Sequence, residues 1–138
     1  MIAMRSVSKF LYAFNAIFLA AGAVVHAASF PKAFSVLDAS KMSAFFAGAF
    51  KGLWLGDSVS LFFLALIFGL VAVSPISARR PLILVLALML LALAGSIYAT
   101  MGSFFAGHIL LLSGISTLVA CGLHPRMPVS ATGHEAGQ

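Results

Sequence analysis

Asp57 is the residue whose type and position most directly suggest chemistry. It is the only acidic residue in the apolar stretch 44–73, and it follows Lys51 and Trp54. A carboxylate within a membrane is costly unless a partner, a water-filled cavity or a function compensates for it. Asp57 is therefore predicted to be the centre of a ligand or proton site.

Other polar residues fall at a similar depth of the predicted spans. These are His26, Lys51, Trp54, Ser58, Tyr98 and His108. On a helical wheel, Lys51, Trp54 and Ser58 lie within an arc of about 60°. Lys51 and Asp57 are six residues apart, so they do not face each other as residues at i and i+4 do.

Asp57 is instead predicted to meet His26, Tyr98 or His108 from another helix. A carboxylate beside an imidazole favours the charged ring or fixes its tautomer. The clustering of polar residues from all four spans in one layer is the main indication of a function.

Each of these residues also has an ordinary structural explanation. A lysine near a helix end, such as Lys51, commonly extends to the lipid headgroups. Trp54 and Tyr98 are typical interfacial anchors, and His26 could be an interfacial histidine without a ligand. Asp57 could be a structural tie that locks the bundle, although an intramembrane carboxylate more often marks a functional site.

The composition indicates a membrane protein. Of the 138 residues, 62% are hydrophobic and 8% are charged, and the segment 81–125 contains no Asp, Glu, Lys or Arg. Soluble domains carry about 25% charged residues. The basic residues flank apolar segments, which favours membrane topology over nucleic-acid binding.

The elements that would position these side chains are four membrane-spanning helices. The spans are predicted at about 10–28, 44–73, 81–101 and 104–123, because about 20 apolar residues cross the hydrocarbon. The predicted fold is all-α, a polytopic four-transmembrane-helix antiparallel bundle, in a single domain 1–123. Residues 29–43 are predicted to be a loop, and the polar tail 124–138 is predicted to be disordered.

The basic residues predict the orientation of the bundle. One side carries Arg5, Lys9, Arg79, Arg80 and Arg126, and the other carries Lys32 and Lys41, partly balanced by Asp38. The positive-inside rule then places both termini in the cytoplasm, in what we interpret as a bacterial inner membrane. The 29–43 loop and the turn at 101–103 would face outward, and His26 and Asp57 would lie in the outer half.

Small residues recur every fourth position in the second span. They are Ala44, Gly48, Gly52, Gly56 and Ser60. Such a stripe predicts close helix packing, within the chain or against a second copy. Ser113, Thr117 and Cys121 form a similar stripe in the fourth span.

Two further patterns leave alternatives open. Residues 1–30 also have the pattern of a signal peptide, but alanines at spacings of three and four residues favour a retained span. The tetrapeptide Phe-Phe-Ala-Gly opens the second span at Phe45 and the fourth at Phe104. This repeat is either a trace of duplication or chance.

Three functional hypotheses follow. The first is a ligand-binding or accessory subunit, which would bind a quinone, a lipid headgroup or another small ligand, or dock as a homodimer or on a larger membrane complex. A haem held by His26 and His108 is a minority version of it. The second is a small proton-coupled transporter that works as a dimer, in which Asp57 would carry the proton.

The third hypothesis is an intramembrane enzyme, and it ranks last. The single cysteine, Cys121, excludes a cysteine pair within one chain, and no H-x-x-x-H or E-x-x-H motif is present. No residue is predicted to be catalytic and no metal site is predicted.

Overall fold

The computed structural model describes residues 2–73 and 80–123, with side chains from Ser6 onwards. The helices are α1 (Ile2–Ala28), α2 (Phe30–Asp38), α3 (Ala44–Val73), α4 (Arg80–Met101) and α5 (Phe105–Leu123). Within these described residues, four helical segments are long and apolar enough to cross a membrane. The prediction of an all-α membrane protein with a four-helix bundle is therefore confirmed. Arg79, Arg126 and the predicted disordered tail lie outside the described residues.

Helix α2 corrects the prediction of a loop at residues 29–43. Pro31 lies in the first turn of α2, where the proline needs no backbone N–H partner. Phe34 is buried, and the ammonium of Lys51 on α3 lies 5.1 Å from its ring centroid. Tertiary packing of one apolar face therefore stabilises a helix that is too short to be stable alone.

The helices pack in the order α3, α1, α5, α4. Helix α1 contacts both α3 and α5, and α4 contacts α5, whereas the described residues of α3 and α4 do not contact each other. Contacting neighbours are antiparallel: Tyr12 stacks on Phe68, while His26 bonds to Ser58. Helix α1, the segment with the signal-peptide pattern, is therefore a central element of the bundle.

Buried hydrogen bonds join α1 to α5. Ser8 donates to the carbonyl of Ala120 at 3.1 Å. Asn15 donates to Thr117 Oγ1 at 3.0 Å and accepts from Ser116 at 2.7 Å. Lipid provides no hydrophobic force between helices, so such bonds and close packing hold membrane bundles together.

Side chains of α4 pack directly on two glycines of α5. A Cβ added at Gly114 would lie 2.7 Å from Leu91 Cδ2, and one at Gly107 would lie 3.3 Å from the Tyr98 ring. Between the two helices, Gly102 has φ +69° and its N–H bonds to the carbonyl of Tyr98. A left-handed glycine is a common helix terminator, and it allows the tight turn that the sequence predicts here.

Helix α3 extends beyond the start of α5. A Cβ added at Gly22 of α1 would lie 4.0 Å from Ile109, and Trp54 bonds to the carbonyl of His26. Since Phe105 is one turn before Ile109, the start of α5 is level with His26. The first ten residues of α3 thus extend about 15 Å further, with α2 beside them. We call this end of the bundle the His26 end and the opposite end the Ser8 end.

Candidate functional site

His26 and Trp54 form the best-defined polar contact at the His26 end. Their ring centroids are 4.3 Å apart and the rings are 15° from parallel. The indole Nε1 of Trp54 also donates to the backbone carbonyl of His26 at 2.9 Å. Helices α1 and α3 are thus joined by a ring stack and a hydrogen bond between the same two residues.

Ser58 fixes the orientation of the His26 ring. Its Oγ lies 2.9 Å from His26 Nδ1, and it is 3.2 Å from the carbonyl of Trp54, to which it donates. With its one hydrogen used there, Ser58 accepts from Nδ1–H, and the neutral His26 ring then carries its lone pair on Nε2. Among the described residues, Nε2 has no hydrogen-bond partner. Nε2 is therefore the atom of His26 that is available to a ligand or a proton.

Asp57 lies on an exposed flank of α3. Within the described part of the chain, its carboxylate makes no hydrogen bond and no ion pair. It is close enough to His26 to interact with the ring electrostatically. Of the three predicted partners, His26 is thus within electrostatic range of Asp57.

Lys51 has a different partner, which sequence reasoning missed. Its ammonium is 3.0 Å from the carboxylate of Asp38 in α2 and lies over the ring of Phe34. Both charged side chains are partly exposed, at 39% for Lys51 and 62% for Asp38. Lys51 therefore extends to the end of α2, as a lysine at a membrane interface commonly does.

Tyr98 and His108 form a separate pair. Their rings meet edge to face, with centroids 5.5 Å apart. His108 Nδ1 is 2.9 Å from the carbonyl of Phe104, one turn earlier in the same helix. Among the described residues, no hydrogen bond or ring contact joins this pair to His26 or Asp57. The predicted polar layer is thus divided into the His26 group (His26, Trp54, Asp57, Ser58) and the Tyr98–His108 pair.

The two histidines of the haem hypothesis pack against different helices. A haem with two axial histidines needs both rings to converge on one iron atom. The ring of His26 packs on α3, whereas the ring of His108 packs on α4. Among the described side chains, no group of three His, Cys, Asp or Glu is placed to hold a metal ion.

The glycine stripe of α3 faces away from α1. Cβ atoms added at Gly48, Gly52 and Gly56 would have no described atom within 4 Å, and Ser60 is exposed. By contrast, the stripe in the fourth span is buried at Ser113, Thr117 and Cys121. The two stripes thus differ in use: the one in α5 packs within the chain, and the one in α3 does not pack on any described residue.

Sequence reasoning also missed two buried residues at the Ser8 end. Ser8 and Tyr12 are 1% and 0% exposed. Their spacing of four residues, followed by Asn15 three residues later, places all three on one face of α1. That spacing was the signal that could have identified them.

No protein-family model matches this chain, and no curated protein or solved structure matches it significantly. A functional proposal for this chain therefore rests on its own side chains and their contacts.

Proposed function

We propose that this small integral membrane protein acts as a ligand-binding or accessory subunit, with its polar site at the His26 end in the outer half of the bundle. The observation that carries the proposal is the isolation of Asp57, an exposed carboxylate without a hydrogen bond or ion pair in the described chain. A carboxylate on a membrane helix is costly without a partner. In this proposal, another molecule supplies that partner.

The His26 ring supports ligand binding. A stack on Trp54 and a hydrogen bond from Nδ1 to Ser58 already hold it, so little side-chain entropy is lost when a ligand binds to Nε2. Nε2 and the Asp57 carboxylate together offer an acceptor and a charge at one end of the α1–α3 pair. A small polar ligand, such as a quinone or a lipid headgroup, suits these groups.

The open glycine stripe supports an accessory or dimeric role. Gly52 and Gly56 leave room for the backbone of another helix to approach α3, on the face that no described residue covers. Two copies in the same membrane orientation would pair this stripe with itself about a twofold axis. A larger membrane complex could supply a helix of its own instead.

The orientation is part of the proposal. The bond between Ser8 and Ala120 places the start of α1 and the end of α5 at one end of the bundle, where Lys9 and Arg80 also lie. Basic residues favour the cytoplasmic side. We therefore place both termini in the cytoplasm of a bacterial cell, with the bundle in the inner membrane.

A proton-coupled carrier is the second candidate. The hydrogen bonds of Asn15 add buried polar groups to the inner half, where such a carrier needs them. However, the buried residues of α1 between Asn15 and His26 are Leu19 and Ala23, and both are apolar. This apolar step makes the carrier the weaker proposal. An intramembrane enzyme, which no nucleophile-elbow or substrate motif in the sequence supports, ranks below it.

The test is native mass spectrometry of protein gently extracted from its own membrane, with an optical spectrum of the same sample. The wild-type protein is expected to retain a small molecule or a larger subunit. Asp57→Asn is expected to lose it. Lys51→Gln is the matched control, because it removes a charge that Asp38 already pairs, and it should retain what the wild type retains.

Two outcomes would contradict the proposal. Retention that is equal in the wild type and Asp57→Asn would show that the carboxylate has no part in binding. A bare, stable dimer would favour the carrier, and a proton-flux assay on the Asp57 variants would follow.

A further inference from the structure

A buried polar seam runs between α1 and α5 toward the Ser8 end, away from the site proposed above. We call it the α1–α5 seam, and its residues are Ser8, Tyr12, Asn15, Ser113, Ser116 and Thr117. All except Ser116 are fully buried or nearly so. The donors and acceptors of such residues need partners, because neither water nor lipid headgroups reach them from outside.

Two hydroxyl groups in the seam have no partner. Tyr12 Oη and Ser113 Oγ are buried and form no hydrogen bond with any described residue. Ser8 lies beside Tyr12, and it donates its own hydrogen to the carbonyl of Ala120. Asn15 donates one N–H to Thr117, and no described residue accepts its second N–H.

The surroundings of Tyr12 Oη are polar on several sides. The phenol lies beside Ser8 on its own helix and within electrostatic range of Cys121 on α5 and Arg80 on α4. The Ser8 oxygen has a free lone pair, and the phenol itself can donate and accept. Internal water in proteins typically makes about three hydrogen bonds to buried polar groups of this kind.

We propose that the α1–α5 seam binds internal water, with one molecule at Tyr12 Oη that bridges to Ser8 and another at Ser113 Oγ. Each water satisfies a hydroxyl that would otherwise be isolated in the core. Because Ser8 also bonds to Ala120, the water at Tyr12 links the α1 side of the seam to α5. Leu19 and Ala23 separate this water from His26, so the seam is a structural site and not a continuous path across the membrane.

X-ray radiolytic footprinting in native lipid tests the proposal, since hydroxyl radicals form from the water next to a side chain. Tyr12 is expected to be oxidised in the folded protein at a rate several-fold above that of Phe68, an aromatic side chain that is equally buried. Phe68, which stacks on Tyr12, controls for transient opening of the core. Absence of Tyr12 oxidation, or equal oxidation of Tyr12 and Phe68, would overturn the proposal.

A pair of substitutions provides an independent test. Tyr12→Phe removes only the hydroxyl and keeps the ring that stacks on Phe68. If the hydroxyl binds water, the Tm of unfolding should fall by about 4 °C, whereas removal of an isolated hydroxyl from a dry core would raise it. Tyr98→Phe, a partly exposed tyrosine at the opposite end, is the control and should leave the Tm unchanged. A Tm of Tyr12→Phe equal to or above that of the wild type would contradict the water at this position.

Discussion

The Trp54 indole donates to the backbone carbonyl of His26 at 2.9 Å, and the His26 ring stacks on the same indole at 4.3 Å. One residue thus positions both the backbone and the side chain of the other. The ring of His26 is fixed before any ligand arrives, and Nε2 is its one nitrogen without a partner among the described residues. This mutual support is the physical reason to regard the His26 group as a prepared site.

Substitution of Trp54 tests how much each contact contributes. Trp54→Phe keeps an aromatic ring but loses the hydrogen bond, and we expect the free energy of unfolding to fall by about 1 kcal/mol. Trp54→Leu also loses the stack and should cost about 1 kcal/mol more. Thermal or denaturant unfolding in detergent micelles measures both values. An unchanged stability for Trp54→Phe would mean that the indole N–H contributes nothing.

The Asn15 hydrogen bonds should contribute modestly to the α1–α5 contact. Hydrogen bonds between membrane helices average about 0.6 kcal/mol and reach about 1.7 kcal/mol. Asn15→Leu removes both bonds but leaves the hydroxyl groups of Ser116 and Thr117 with the carbonyl of Ser113 as acceptor, so neither donor becomes isolated. A double-mutant cycle with Thr117→Val measures the coupling. Strictly additive effects of the two substitutions would contradict a direct interaction.

The four spans could be predicted because their cause is local. Hydropathy over about 20 residues determines where a chain crosses the membrane, and α3 has the predicted bounds of 44 and 73. Helix α2 could not be predicted in the same way. It is short, and the burial of Phe34 and the pairing of Asp38 with Lys51 stabilise it.

The depth of the candidate-site residues along the bundle could be predicted from the sequence, but the residues that they contact could not. His26 and His108 were expected at one depth because each is near the same end of its span. Depth follows from position in the sequence, whereas the neighbours of a helix depend on how all the helices pack. Helix α1 therefore places His26 against Trp54, while His108 meets Tyr98 on α4. The glycine stripe likewise predicts close approach without identifying the partner helix.

Labelling of single cysteines tests the proposed orientation. Ser35 and Ser103 are exposed at the His26 end, and Lys9 is exposed at the Ser8 end. In a Cys121→Ala background, Ser35→Cys and Ser103→Cys should react with a membrane-impermeant maleimide on intact cells. Lys9→Cys should react only after permeabilisation. The reverse pattern would invert the topology and place the His26 group in the inner half.

Glycine substitutions separate packing within the chain from packing between chains. Gly52 has open space on α3, so Gly52→Leu should leave the stability of the bundle unchanged and should abolish association if another helix binds there. Gly114 is the matched control, because a Cβ at this position would lie 2.7 Å from Leu91 Cδ2 and 2.8 Å from Leu91 Cγ. Gly114→Ala should therefore cost about 1–3 kcal/mol of stability by overpacking the α4–α5 contact.

Thermal unfolding and native mass spectrometry of both variants give the two measurements. The expected result is an association defect without a stability defect for Gly52→Leu, and the opposite for Gly114→Ala. If Gly52→Leu still associates like the wild type, the open face of α3 is a lipid-facing surface. A partner helix at this stripe would then be excluded. Ligand binding at His26 and Asp57 would be unaffected, because Trp54 and Ser58 hold the ring of His26 from the opposite face of α3.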